Sequence, residues 1–216
     1  MPDFAHETAI AQRFGNPVVG LDEVGRAPLA GPVLAAAVWI DPPRLPQRLA
    51  GRLDDSKKLP RAAREEMAAE IHGLAESGAA AVGLGEASVE EIDSVNILAA
   101  SLLAMSRALA ALEAVAGFKA AAALVDGNRL PQLLCPGETV IGGDGRSLSI
   151  AAASIVAKVA RDRLMCELAG LHPGYGWERN CGYPTPDHKA ALIRLGPTPL
   201  HRRSFRPVRE ILTLSI

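Results

Sequence analysis

Short apolar runs recur along the chain, each bounded by glycine, proline or polar residues, and each has the length of a β-strand. The runs at residues 17–25 and 32–40 are separated by a tight turn that contains glycine and proline, which predicts a hairpin with a wide loop. Three further runs lie later in the chain. The pattern therefore predicts five strands, at residues 17–25, 32–40, 79–87, 119–128 and 138–144.

Longer segments repeat their apolar residues at helical spacing. In the first of them, Met67, Ile71 and Leu74 recur every three or four positions, which indicates one buried helix face. We expect Ser88 or a neighbour to cap the second helix and Gly117 to end it. The predicted helices are residues 59–77, 96–115 and 147–169, and a short one that begins near Thr185 and Pro186.

The order of these elements is typical of an α/β protein with a mixed five-stranded sheet flanked by helices. With 216 residues, 49% of them apolar, the chain is long enough to bury one sizeable core. The sequence after about residue 172 is rich in loop-forming residues and ends in an irregular, basic tail. We therefore predict one main domain at residues 1–171 and a C-terminal helical and loop extension at residues 172–216 that packs on it.

Targeting and covalent features are few. No uninterrupted apolar run reaches the about eighteen residues of a membrane span, and the N-terminus lacks the basic and apolar regions of a secretory signal. The three cysteines are odd in number and have no C-x-x-C spacing, which favours reduced thiols over zinc ligands or disulfides. We expect a cytoplasmic monomer that has no obligate protein partner and no association with a membrane.

Charge is unevenly distributed, although the net charge is only −1. Residues 65–93 contain acids and no lysine or arginine, whereas residues 187–216 contain six basic residues, namely Lys189, Arg194, Arg202, Arg203, Arg206 and Arg209. Charge runs are usually solvated faces, and that interpretation applies here unless other features oppose it. The alternative is that the basic segments converge on one side of the molecule and contact phosphates.

Four acids follow apolar strands and lie beside or near a glycine: Asp22, Glu23, Asp126 and Asp144. An aspartate before glycine is a common turn residue, and this plain reading suits Asp126 taken alone. Asp22 and Glu23 are adjacent, so their side chains point to opposite faces of a strand and at least one turns partly inward. Burial of an unpaired charge in that position is unfavourable by roughly several kcal/mol. We therefore expect a positively charged group to compensate it.

A divalent cation would relieve the repulsion among carboxylates gathered at neighbouring strand ends. Oxygen ligands without a His or Cys cluster favour Mg²⁺ or Mn²⁺ over zinc. Carboxylates that hold such ions beside a substrate phosphate are typical of two-metal phosphoryl transfer.

Six motifs occur in the order GLDEVGRAPLAGPVLAAAV, LDDSKKL, VDGN, GGDGRSLSIAAASIVAKVARD, GYPTPDH and HRRSF. In this order they closely resemble the signatures of the bacterial ribonuclease HII family, the type 2 ribonucleases H, from about residue 17 to 207. The resemblance implies an RNase H-like fold and cleavage on the 5′ side of ribonucleotides in RNA–DNA hybrids and in duplex DNA. It also implies two-metal catalysis that leaves 3′-hydroxyl and 5′-phosphate ends.

Residue roles follow from the same resemblance. The metal-binding and catalytic carboxylates would be Asp22, Glu23, Asp126 and Asp144. The stretch Gly25, Arg26 and Ala27 falls on the loop that reads the ribose 2′-hydroxyl through backbone groups, and Tyr183 falls on the tyrosine that packs against the adjoining deoxyribose. Lys57 and Lys58 are candidate contacts to backbone phosphates, with a solvated pair as the alternative.

One position departs from the family pattern, because the usual Gly-Arg-Gly loop has Ala27 as its third residue here. A Cβ disfavours positive φ, so we expect Ala27 to have an ordinary negative φ. Two other functions stay open: a type 3 enzyme that prefers long hybrids, and a catalytically silent nucleic-acid-binding module. The loop and the GYPT motif favour type 2, and the presence of all four acids favours an enzyme.

Overall fold

The computed structural model describes residues 1–214 and contains one five-stranded sheet with the spatial order β3-β2-β1-β4-β5. β1 runs antiparallel to β2 and parallel to β4, and β4 runs parallel to β5. The mixed five-stranded sheet of an α/β protein, as predicted from the sequence, is therefore confirmed. The strands are β1 Val18–Val24, β2 Val33–Ile40, β3 Ala80–Ala87, β4 Ala122–Asp126 and β5 Gly137–Val140.

Helices cover both faces of the sheet and also build the C-terminal segment. α5 packs on one face, and α3 and α6 pack on the other. The helices are α1 Ala5–Phe14, α2 Gln47–Ala50, α3 Arg61–Glu76, α4 Val89–Val95, α5 Ile97–Ala116, α6 Leu148–Leu171, α7 Trp177–Asn180, α8 Pro186–Leu195 and α9 Arg206–Leu214.

Alternation along the strands divides the core into two layers. In β2, Ala35 and Ala37 contact the layer under α5, whereas Ala36 and Val38 contact the layer under α6. Small residues allow a close approach: a Cβ added at Gly83 would meet the α5 backbone at 2.2 Å. The alanine- and glycine-rich strands thus bring the helices very near the sheet.

α5 is long and apolar enough, by length and composition alone, to cross a membrane. In this fold, however, Ala104, Ala108 and Leu112 of α5 are buried in the core layer that it shares with β1 to β4. Its apolar character is therefore that of a core helix.

Three elements of the structure differ from those expected from the sequence. The helix expected to be capped by Ser88 is two helices, because Ser88 caps α4 with Glu91 in a capping box and Asn96, at φ 74°, ends α4 and caps α5. The N-terminal helix α1 was not predicted, since its hydrophobic face is short. The tail expected to be irregular contains α9, in which Val208 is buried.

The segment after α6 packs on the loop that joins β1 to β2. Trp177 and Leu192 form a cluster with Leu29, Ala30 and Met165. Ala30 also pairs with His201 in an isolated antiparallel bridge. The C-terminal segment therefore contacts the loop that follows the Asp22–Glu23 pair.

Candidate active site

Three aspartates meet at one edge of the sheet. Asp22 lies near the end of β1 and Asp126 ends β4, and the parallel register pairs Leu21 with Val125, so the two acids are neighbours. Asp144 lies in a 3₁₀ turn, Gly143–Gly145, between β5 and α6. The carboxylate oxygens of Asp22, Asp126 and Asp144 lie within 4.8 Å of one another.

Glu23 lies apart from this trio because alternation in β1 turns it to the other face of the sheet. Its carboxylate Oε1 is 3.2 Å from Nη1 of Arg26, and it lines a groove with residues of α5. The sequence thus placed all four acids at one sheet edge, and the structure gathers three of them into a cluster with Glu23 beside it.

Burial raises the pKa values of Asp22, Glu23 and Asp144. Burial raises the pKa of Asp22 well above its usual value, and repulsion from Glu23 and Asp126 raises it further. Burial also raises the pKa of Glu23, against the attraction of Arg26. Burial and repulsion from Asp126 likewise raise the pKa of Asp144.

This donor set fits a hard divalent cation. Asp22 and Asp144 are buried, and the cluster offers closely spaced oxygen ligands whose mutual repulsion a cation would relieve. No other group of three or more potential His, Cys, Asp or Glu ligands occurs within the described part of the chain. The cluster is therefore the candidate metal centre.

The two predicted phosphate-binding lysines lie in different environments. Nζ of Lys57 is 3.7 Å from Oδ2 of Asp144, and attraction to the acid cluster raises the pKa of Lys57 although burial opposes this. Nζ of Lys58 instead lies 3.1 Å from Oδ1 of Asp54. Lys57 thus borders the candidate metal centre, whereas Lys58 forms an ion pair with Asp54.

The loop after β1 combines one strained glycine with two exposed residues. Gly25 has φ +96°, and a Cβ added there would meet Nε of Arg161 at 2.2 Å. Arg26 and Ala27 are exposed. Ala27 is not among the non-glycine residues at positive φ in the described chain, as expected from the sequence.

Tyr183 is half-buried and lies beside α6. Nζ of Lys158 is 5.8 Å from the centroid of its ring, and the same Nζ donates a hydrogen bond of 2.6 Å to Oδ1 of Asp162. Lys158 and Asp162 thus form an i,i+4 ion pair on α6. It orients a cation toward the tyrosine ring.

A buried histidine pair supports the backbone of Tyr183. The amide N–H of Thr198 donates to Nδ1 of His201, and Nε2 of His201 lies 3.2 Å from Nε2 of His188. Nε1 of Trp177 also donates to Nε2 of His188, so Nδ1 of His188 carries the proton that is donated to the carbonyl oxygen of Tyr183. Both histidines are neutral in this chain of hydrogen bonds, and they stabilise the packing of the C-terminal segment. Burial, together with repulsion from His188, lowers the pKa of His201 to about 3.

Several residues that lie beside the acids were not predicted from the sequence. Asn128 and Arg129 line a groove of about 290 Å³ together with Glu23, Arg26 and Asp126. Their position directly after the VDG turn was the available signal, since residues that follow a strand end lie at the same edge as the acid. The two buried arginines, Arg161 and Arg202, were also missed as supports of the loop.

Comparisons with known proteins agree with this architecture. The sequence model of the family described as ribonuclease HII matches residues 19–208. A ribonuclease HII of Paramagnetospirillum magneticum is 59% identical over 212 residues, which cover 98% of this chain and 99% of that protein.

Two solved structures share the fold. The ribonuclease H2 from Pyrococcus horikoshii OT3 has a TM-score of 0.68 at 25% identity and covers 91% of this chain and 97% of its own. Bst-RNase HIII in complex with Mn²⁺ has a TM-score of 0.66 at 18% identity and covers 92% of this chain and 70% of its own. The RNase H-like fold predicted from the sequence is therefore confirmed.

Proposed function

Because the chain belongs to the ribonuclease HII family, we propose that it hydrolyses the phosphodiester bond on the 5′ side of a ribonucleotide, both in RNA–DNA hybrids and at single ribonucleotides in duplex DNA. Membership in this family makes the chain a metal-dependent ribonuclease H, an endonuclease that acts on RNA–DNA substrates. The products of the proposed reaction carry 3′-hydroxyl and 5′-phosphate ends.

The convergence of three carboxylates within 4.8 Å is the observation that carries this proposal. Asp22, Asp126 and Asp144 would hold divalent ions, with Glu23 contributing from the opposite side. Two such ions, Mg²⁺ or Mn²⁺, supply activation of a water and stabilisation of the leaving oxygen when bound.

The side chains around the acids would position the nucleic acid. Lys57, whose Nζ lies 3.7 Å from Oδ2 of Asp144, would contact the phosphate that approaches the metal centre. Lys58 would contact the backbone further out, where it gives affinity without sequence preference. Arg26, which is exposed at the groove, presents a planar guanidinium to a phosphate.

Discrimination of ribose from deoxyribose would come from the loop and the tyrosine. The 2′-hydroxyl is the group that distinguishes the two sugars at one position. Backbone groups of Gly25, Arg26 and Ala27 would bind it, and the ring of Tyr183 would pack on the adjoining sugar that lacks it. Ala27 is compatible with this role because its backbone is not at positive φ.

The organisation of the chain completes the proposal. Residues 1–171 would form the catalytic domain, and residues 172–216 would form the extension that carries Tyr183. We further propose that the protein works as a monomer in the cytoplasm, in keeping with three cysteines that are all unpaired.

One assay tests the proposed reaction. The protein is incubated with Mg²⁺ or Mn²⁺ and a labelled duplex that contains a single ribonucleotide, beside an all-DNA duplex of the same sequence. Cutting on the 5′ side of the ribonucleotide, with a 3′-hydroxyl and a 5′-phosphate, is the expected result. Equal cutting of the all-DNA duplex, or cutting on the 3′ side, would refute it.

A further inference from the structure

Two arginines, Arg161 and Arg202, are among the largest fully buried side chains of the protein. Neither forms an ion pair with a carboxylate among residues 1–214. Burial, together with repulsion between the two, lowers the pKa of Arg202 to about 9. Two charges buried in this way are unfavourable for stability unless hydrogen bonds compensate them, which calls for a reason in function or folding.

All hydrogen bonds of the two guanidinium groups go to backbone carbonyl oxygens. Arg202 donates to Gly25 at 2.6 Å, to Arg26 at 3.1 Å and to Gly31 at 2.9 Å. Arg161 donates to Ala30, to Pro32 and, from the C-terminal segment, to Cys181. The acceptors therefore span the whole loop between β1 and β2.

These bonds fix the direction of two peptide groups. In a trans peptide the C=O and the following N–H point in opposite directions, and the only cis peptide in the described chain is Asn16–Pro17. Because the carbonyls of Gly25 and Arg26 point at the buried Arg202, the N–H groups of Arg26 and Ala27 point away from it. Because Arg202 is fully buried whereas Arg26 and Ala27 are exposed, that direction is away from the core. Arg26 also lines the groove with Glu23 and Asp126.

The two amide groups are available to a ligand. No hydrogen bond from the N–H of Arg26 or Ala27 to another residue occurs within positions 1–214. The loop has little freedom to turn them, because it is tightly packed. A Cβ added at Gly25 would meet Nε of Arg161 at 2.2 Å, and one added at Gly31 would meet Sδ of Met165 at 2.5 Å. The loop thus presents two preoriented donors to the groove.

We infer that Arg202, assisted by Arg161, is a positioning residue that sets ribonucleotide specificity by aiming the N–H groups of Arg26 and Ala27 at the 2′-oxygen of the substrate. The inference rests on the proposed function of this loop. It assigns to the HRRSF motif a role in the site although Arg202 touches no substrate. Preorganised donors bind an oxygen without the entropy loss of ordering a free loop.

The test compares two duplexes that differ by one 2′-hydroxyl group. All proteins carry Asp126→Asn, which suppresses cleavage, and the dissociation constant of each duplex is measured by fluorescence anisotropy with Mg²⁺ present. The variants are R202K, which retains the charge but not the fork of donors, and A27P, which removes one of the two amide donors at an exposed position. R44K is the matched control, because Arg44 also donates to two backbone carbonyls, those of Ser77 and Gly78, far from the acids.

We expect the preference for the ribonucleotide duplex to fall about tenfold in R202K, the loss that corresponds to one or two hydrogen bonds. Binding of the all-DNA duplex should stay unchanged in R202K, and R44K should keep the full preference. Equal weakening of both duplexes, or an unchanged preference, would overturn the inference.

Folding of each variant is checked by circular dichroism and thermal melting. If R202K is unfolded at the assay temperature, A27P decides: a reduced preference supports the orientation of the loop amides, and an unchanged one overturns it. Equal binding of both duplexes by the reference protein is a different result, since it would refute ribonucleotide reading itself and the inference with it.

Discussion

Oδ1 of Asp126 accepts a hydrogen bond of 2.7 Å from the backbone N–H of Gly143. This bond joins the end of β4 to the turn that carries Asp144, so two carboxylates are held together although like charges repel. The fold thus stabilises a cluster that is unfavourable without a cation, and this property has measurable consequences.

Asp22→Asn should stabilise the metal-free protein. The folded-state pKa of Asp22 is raised, so its contribution to stability is present at low pH and is lost as pH rises through that pKa. At pH 7.5 in EDTA, removal of this buried charge should raise the free energy of unfolding by about 1 kcal/mol or more, roughly 2–4 °C in Tm. Mg²⁺ should then stabilise the wild type more than the variant. A lower Tm of Asp22→Asn than of the wild type in EDTA would contradict this prediction. Asp41→Asn is the control and should leave Tm unchanged.

Lys57→Gln should impair activity more at low pH than at high pH. Lys57 lowers the pKa of Asp144, so its loss should move the acidic limb of the pH–rate profile to higher pH. Lys58→Gln is the matched control, because Lys58 pairs with Asp54 instead. Profiles of kcat/KM at fixed Mg²⁺ measure the effect, and equal shifts in the two variants would disprove the distinction between the lysines.

The buried histidine pair should make the protein sensitive to acid. His201 has a folded-state pKa of about 3, so the stability it contributes is present above its unfolded value of about 6.5 and is lost as pH falls below it. The expected loss is about 1.4 kcal/mol per pH unit for this one group. His201→Gln should lose less stability between pH 6.5 and 5 than the wild type, as measured by denaturant unfolding. The exposed control His72→Gln should behave like the wild type.

Gly25→Ala should be far more harmful than Gly117→Ala. Both glycines have positive φ, at +96° and +71°, so both substitutions carry backbone strain of about 1 kcal/mol. Only the Cβ at position 25 would also collide with Arg161, whereas no atom lies within 4 Å of the one at position 117. We expect lost ribonucleotide cleavage in G25A and near-normal cleavage in G117A. Similar activities would show that the loop tolerates displacement.

Much of this site was predictable because its signals are local. Asp22, Asp126 and Asp144 each lie at or just beyond the end of an apolar run in the sequence. Because parallel pairing brings strand ends together, this pattern predicts the cluster. The separation of Glu23 from the trio follows from the same alternation that predicted opposite faces for adjacent acids. The i,i+4 pair of Lys158 and Asp162 is equally local.

What the sequence did not reveal depends on long-range contacts. Arg202 lies 177 positions after Gly25, and nothing near it signals a bond to that carbonyl. The helix α9 was not predicted, and its segment was expected to be irregular. Its formation depends on the packing of Val208 in the C-terminal cluster, which is a tertiary contact. The break at Asn96 was not predicted because α4 leads directly into α5, and a single residue at positive φ separates the two helices.

The role of the aspartate cluster as a metal-dependent nuclease site is tested by measuring how fast Asp126→Asn cleaves a single-ribonucleotide duplex in Mg²⁺. The side-chain oxygen of the variant can still accept from Gly143, so the fold should persist and binding of the duplex should be retained. We expect kcat to fall about a thousandfold or more relative to the wild type, because loss of a metal ligand removes several kcal/mol of transition-state stabilisation. Cleavage at the wild-type rate by a folded variant would contradict it.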